Sequence, residues 1–344
     1  MKILRPHART TLATITLLLL SACGGGDDEP TATADSQSAD VRELAMAVSD
    51  SQRITAATNT ANSSSNACWA ARPFYWEIGD SAARKASGSV KSSSSSLNYT
   101  STLSIPLASA TKWLYGSYVA QRRNGQLTAD DVRMLTMRSG YASLRNCLQD
   151  QTVAQCLAYA DNGVYTPSLE GRFFYNGGHL QKHAIDLGLG PMNDAQLTSA
   201  LPSQLGTDIK LGFSQPQLAG GAYGSPDAYA RFLRKILAGQ LKMRELLGSN
   251  ATCTNPATCD LGSAFFTPVP TTESWHYSIT HWVEDDPVTG DGAFSSPGAL
   301  GFYPWIDSSK TWYGVVARAY LTGMWGSVQC GRAIRKAWVT GVTQ

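Results

Sequence analysis

The chain has 344 residues, a formal net charge of +2, 16% charged residues and 43% hydrophobic residues. That apolar content suits one large folded domain or two closely joined parts. The near-neutral balance, with no basic stripe, argues against a nucleic-acid partner bound through phosphate charge.

The chain begins with Lys2, Arg5 and Arg9, followed by an apolar run from Leu12 to Leu20 that is too short to span a bilayer as a helix. This reads as a signal peptide over residues 1–22. The sequence Leu20-Ser21-Ala22-Cys23 resembles the bacterial lipobox. That resemblance implies lipidation at Cys23 and anchoring to the bacterial cell envelope, with the lipid as the sole membrane contact. Gly24 after the cysteine points to the outer membrane, facing the periplasm or the exterior. The alternative is an ordinary secretory signal with an incidental cysteine. Residues 23–66 are rich in Gly, Asp, Thr, Ser and Ala and lack aromatics, which predicts a flexible tether. Val41–Val48 is a candidate short helix within it. The folded domain is then expected over 67–344.

Phe74 to Asp80 is aromatic and ends in a turn signal, so a strand is predicted there, with a second from Ser87 to Val90. The serine run Ser92–Ser96 reads as a loop. Ile105-Pro106-Leu107-Ala108 is extended or turning, because proline disfavours helix in the residue before it. A helix is predicted from Ser109. Residues three apart share a helix face, so Lys112 points its amine at the Ser109 hydroxyl. A desolvated lysine can be neutral and take that proton, which makes Ser109 a candidate nucleophile and Lys112 its base. The bland alternative is a solvated pair on a helix surface.

From Ala108 to about Gln240 the pattern is mostly helical, with a helical subdomain at about 114–245. Its clearest member is Asp227–Gly239, opened by Ser225-Pro226. Beyond Pro268 the pattern returns to strands. Trp275–Glu284 is one, and Ala299–Asp307 with Trp312–Tyr320 forms a hairpin. Val328–Val339 is a final helix. Strands at both ends and helices between them predict an α+β fold, its antiparallel sheet built from both termini.

Setting Cys23 aside leaves six cysteines, an even number in a chain that reads as exported. Six allow fifteen pairings. Proximity suggests Cys253–Cys259 and Cys147–Cys156, each closing a short loop, which leaves Cys68 with Cys330. A metal site is the other reading, but no Cys-x-x-Cys is present. His276 and His281, five apart on a predicted strand, face opposite ways and do not share a metal. His179 and His183 have helical metal spacing but no carboxylate follows, so they read as surface histidines.

With Ser109 and Lys112 placed, further stretches fall in a familiar order. Thr102 to Lys112 resembles the nucleophile region of serine β-lactamases, penicillin-binding proteins and related esterases. Val119–Asp131 resembles the turn after their nucleophile helix, and Leu135–Gly140 the helix that follows. Gly171–Gly177 occupies the place of a Tyr-x-Asn element, Gln217–Asp227 that of a Gly-Gly segment, and Ser296-Pro297-Gly298 that of a Lys-Thr-Gly strand. The resemblance implies a β-lactamase/D,D-peptidase-like fold over about Cys68–Gln344 and an acyl-enzyme mechanism with no metal or cofactor. Tyr175 would relay protons. The backbone N–H groups of Ser109 and Ala299 would form the oxyanion hole, and Asn176, Ser296 and Gly298 would touch substrate.

Two departures qualify this. Asn176 directly follows Tyr175, so one of the two must stand in for the full element. Phe173, two before Tyr175, favours the tyrosine. And Ser296 replaces the lysine that would meet a substrate carboxylate. The expectation is a serine hydrolase for neutral esters or amides. Alternatives are a D,D-peptidase or β-lactamase in which another cation, such as Arg138 or Arg172, has taken over, and a non-catalytic envelope binding protein.

Overall fold

Phe74–Gly79 is buried at every position, as a strand covered on both faces must be. In the computed structural model, which describes residues 48–344, this strand (β1) pairs with β2 (Arg84–Val90) on one side. The following strands are β3 (Ile105–Pro106), β4 (Phe173–Phe174), β5 (Leu211–Phe213), β6 (Ala222–Gly224), β7 (Thr252–Cys253), β8 (Ala264–Phe266), β9 (His276–Tyr277), β10 (Trp282–Glu284), β11 (Ala293–Ser295), β12 (Tyr303–Ile306) and β13 (Tyr313–Ala317). The other edge of β1 takes β13, antiparallel, with Tyr75 opposite Ala317. The main sheet runs β2-β1-β13-β12-β11-β10-β9-β7, so both chain ends contribute to its core.

Helices cover both faces. Tyr313 and Val316 lie three apart on β13 and therefore point opposite ways. The terminal helix, Met324–Thr340, lies over the Val316 face, where a Cβ at Gly331 would collide with Tyr303. The helix Pro226–Leu237 lies on the other face, where Arg234 Nη1 donates to Tyr313 Oη at 2.8 Å. Ser225 caps this helix and proline opens it, as the sequence indicates. Three disulfides close the chain as the spacing suggests: Cys68–Cys330, Cys147–Cys156 and Cys253–Cys259.

Four expectations need correction or placement. The tether does not reach residue 66: a helix spans Asp50–Asn62, opened by a Ser49–Gln52 capping box. It docks on the terminal helix through Arg53, Ala56, Ala57 and Ala61, and Arg53 Nη1 donates to Trp338 O at 2.7 Å. Small residues at helical spacing bury well here, although the segment lacks the large apolar groups that usually mark a core. Trp275–Glu284 is not one strand. Thr280 takes a left-handed φ of 57° and Ser278 N–H donates to His281 O, folding it into the β9–β10 hairpin. The stretch 108–240 is helical only in pieces. It contains β5 and β6, which with β3 form a three-stranded sheet in the order β3-β6-β5, and an irregular segment over 141–152. The signal peptide, Cys23 and all but the last residue of the candidate helix Val41–Val48 lie outside the described residues.

Two small sheets carry side chains to one place. β3 delivers the chain into the turn before Ser109, and β4, paired in parallel with β8, delivers it to Tyr175. β11 of the main sheet ends just before Ser296.

Candidate active site

Ser109 stands at the N-terminal end of the helix Ala110–Arg122. The turn before it is tight. Ala108 adopts a left-handed φ of 47°, a conformation that costs a non-glycine residue about 1 kcal/mol and recurs at functional turns. It is held from two sides. Leu107 N–H donates to Ala222 O at 2.9 Å, and a Cβ on Gly298 would strike the Leu107 carbonyl. Only glycine allows the segment after β11 to approach so closely. Ser296 Oγ donates to Ser109 O at 3.1 Å, adding a further tie.

One turn along the helix, Lys112 is 4% exposed. Its Nζ lies 3.0 Å from Ser109 Oγ and 2.7 Å from Ala219 O. Burial lowers its pKa from the usual lysine range to about 7. As a neutral amine it can keep one N–H on Ala219 O and turn its lone pair to the serine hydroxyl.

Tyr175 leaves β4 with its N–H on Phe266 O at 3.0 Å. Its ring stacks on Trp282 at 5.2 Å, and Lys112 Nζ lies 4.8 Å from the ring centroid. Burial raises the phenol to about 12, against hydrogen bonding with Ser109 and Trp282 that lowers it. Near neutral pH the site thus joins a protonated phenol to an amine poised to lose its proton.

A cavity of about 240 Å³ opens onto this group. Ala108, Ser109, Lys112 and Ala219 form its floor, and Leu144, Arg145, Gly177, Gln217 and Gly220 complete its wall. Asn176 is not in that wall. Its Oδ1 accepts from Gly178 N–H at 2.9 Å and so opens the next helix. Ala299 lies exposed in the turn closed by Gly301 N–H on Gly298 O.

The structure thus brings Ser109, Lys112, Tyr175, Ser296 and Gly298 together, while the Asn176 side chain is engaged elsewhere. His179 and His183 are buried rather than on the surface. His179 Nδ1 lies 2.7 Å from Ser139 Oγ, and His183 bridges Tyr115 Oη and Asp131 Oδ1 at 2.7 and 2.8 Å. Sequence reasoning missed the Ala219 carbonyl, the Trp282 platform, and the Leu144–Arg145 wall. The Gly220-Gly221 landmark gave a signal for the first alone.

No protein-family model matches the chain, and no curated protein matches it by sequence. Solved structures do match. EstCE1, described as a hydrolase with promiscuous acyltransferase activity, superposes at a TM-score of 0.57 with 13% identity, over 86% of this chain and 99% of its own. A D-amino acid amidase from Ochrobactrum anthropi gives 0.56 and 11%, over 77% and 95%. A penicillin-binding protein from Bacillus halodurans gives 0.54 and 11%, over 76% and 96%. The chain has the β-lactamase/D,D-peptidase-like fold.

Proposed function

We propose that this protein is a serine hydrolase that works through an acyl-enzyme on ester or amide substrates. The observation that carries this reading is Lys112 Nζ, buried and 3.0 Å from Ser109 Oγ, with its pKa brought to about 7. In the acylation step Lys112 takes the Ser109 proton as Oγ bonds to the substrate carbonyl carbon. The N–H groups of Ser109 and Ala299 receive the oxyanion. Tyr175 passes a proton to the leaving alcohol or amine as its bond to the carbonyl breaks. Lys112 returns the serine proton to Tyr175, and water then repeats the sequence on the acyl-enzyme, its proton passing to Lys112 and on through Tyr175 to Ser109 Oγ as the acyl bond breaks.

Ser296 supplies a hydroxyl where the resemblance implies an ammonium, so the part of the substrate lying against it is neutral. A substrate carboxylate at that edge would lose about 1.5–3 kcal/mol of charge-assisted bonding relative to a site with lysine. This favours an esterase or amidase over a D,D-peptidase or β-lactamase. Labelling by a fluorophosphonate probe tests the reading, since a non-catalytic binding protein would not react. Acylation by a fluorescent penicillin in preference to a neutral ester would move it to the peptidase class.

Tyr175→Phe should lower kcat on a neutral ester by about 10²–10⁴-fold, the usual scale for a proton-transfer group. Stopped-flow acylation rates check this, and an unchanged rate would take the relay role away from Tyr175. Lipidation at Cys23 remains part of the proposal. Radiolabelled palmitate should enter the protein in a bacterial host and not enter Cys23→Ala, whereas equal labelling of both would remove the anchor.

A further inference from the structure

Residues 141–152 form neither helix nor strand, yet the stretch around Leu144–Cys147 is fixed at several points. Leu144 is buried against the Cys147–Cys156 disulfide. Arg145 N–H donates to Asn162 Oδ1 at 2.8 Å. Asn162 is itself buried, and its Nδ2 donates to Asn146 O at 2.8 Å and to Cys156 O at 2.9 Å. A loop held by a disulfide and a buried amide has a defined position. What it holds in place is Arg145, on the wall of the catalytic cavity.

Among the described residues the Arg145 guanidinium has no ion-pair or hydrogen-bond partner; its one hydrogen bond runs through the backbone. The charged side chains lining the cavity are Lys112 and Arg145, and neither Asp nor Glu lines it. The two arginines that the sequence offers as replacement cations are elsewhere. Arg138 Nε donates to Thr136 Oγ1, and Arg172 lies over the Phe265 ring at 5.4 Å.

We propose that Arg145 is a substrate-anchoring residue, and that the substrate is an ester or amide carrying a carboxylate-class anion, bound at the Leu144–Arg145 wall and not at the Ser296 edge. The guanidinium fork matches a carboxylate with two parallel hydrogen bonds. The proposal rests on the acyl-transfer reading and sharpens its substrate class. The molecule is neutral where it meets Ser296 and anionic where it meets Arg145.

The test uses matched ester pairs. One pair differs on the acyl side: the 4-nitrophenyl monoester of adipic acid and 4-nitrophenyl hexanoate. The other differs on the alcohol side: 4-carboxyphenyl and 4-acetylphenyl hexanoate. The ratio of kcat/KM for anionic over neutral ester is measured in the wild type, Arg145→Ala, Arg145→Lys and Arg145→Glu. In at least one pair the ratio should fall about tenfold in Arg145→Ala, a figure that allows for the exposure of the side chain. It should fall further in Arg145→Glu, less in Arg145→Lys, and should decline with salt in the wild type. A ratio constant within twofold across all four proteins, in both pairs, overturns the proposal.

A binding arm separates this from failure of the catalytic reading. The Ser109→Ala variant, which cannot be acylated, should bind at least one of the two intact anionic esters, the adipate monoester or 4-carboxyphenyl hexanoate, about tenfold more tightly than Ser109→Ala/Arg145→Ala. If the wild type cleaves none of the esters, the hydrolase reading fails while the binding difference still decides the arginine. Equal binding of both anionic esters by the two variants then overturns the anchor.

Discussion

Replacing Ser109 by alanine should abolish hydrolysis of an activated ester, a loss of at least about 10³-fold in kcat, and should abolish fluorophosphonate labelling with it. The change removes one oxygen from a half-buried side chain at a helix start. It leaves the Ala108 turn, the Leu107–Ala222 bond and the Ser296–Ser109 carbonyl contact intact, because all of these involve backbone or neighbouring groups. Lys112 keeps its bond to Ala219 O. The melting temperature should therefore move little, so lost turnover reports lost chemistry. Purified Ser109→Ala that still turns over the ester would transfer the nucleophile elsewhere.

Lys112 should be nearly as indispensable, since a nucleophile and its base act as one unit. Lys112→Ala should cost about 10³-fold or more. Lys112→Arg is the sharper variant: arginine keeps a cation near Ser109 but cannot give up its proton, so it should be equally inactive. The sign of the pH dependence follows from the lowered pKa. The working form is the neutral amine, so the rate should rise with pH through about 7 and level off above it, falling about tenfold per unit below. An ordinary exposed lysine would place that rise near its usual value above 10. A rate that stays flat from mildly acidic to mildly alkaline pH, or an active Lys112→Arg, would end the assignment of Lys112 as base.

The adjacency of Ser109 and Lys112 was readable because helix geometry alone fixes it: three residues along, on a helix whose start Pro106 helps to mark. The short disulfides were readable for a similar reason, since few residues separate their ends. Tyr175 could be placed by its local neighbour Phe173, but the Trp282 platform beneath it could not. Trp282 reaches the site only because a left-handed Thr280 folds an apparent single strand back on itself. Arg145 lay beyond reach for a related reason. Its position depends on the bond from its backbone N–H to Asn162, 17 residues further on, which carries no periodic signal. The helix Asp50–Asn62 was missed because its buried face is three alanines, a threonine and an arginine, a composition that also suits a tether. His179 and His183 showed the right helical spacing, but nothing in the sequence tells a buried polar pair from a surface one.

The joining of the two chain ends in one sheet bears on the order in which the protein can assemble during synthesis. β1 cannot gain its second neighbour until β13 exists, and the bridge between Cys68 and Cys330 spans 262 residues. Most of the polypeptide must emerge while the aromatic face of Phe74–Gly79 has no permanent cover. Pairings of such long range form slowly, because the loop must close before any contact rewards it. Until then Tyr75, Trp76 and Ile78 are open to other partners, including a second copy of the same strand. Emergence of β13 and Cys330, rather than of the segments that carry Ser109 and Tyr175, is the event that commits the chain to the native sheet.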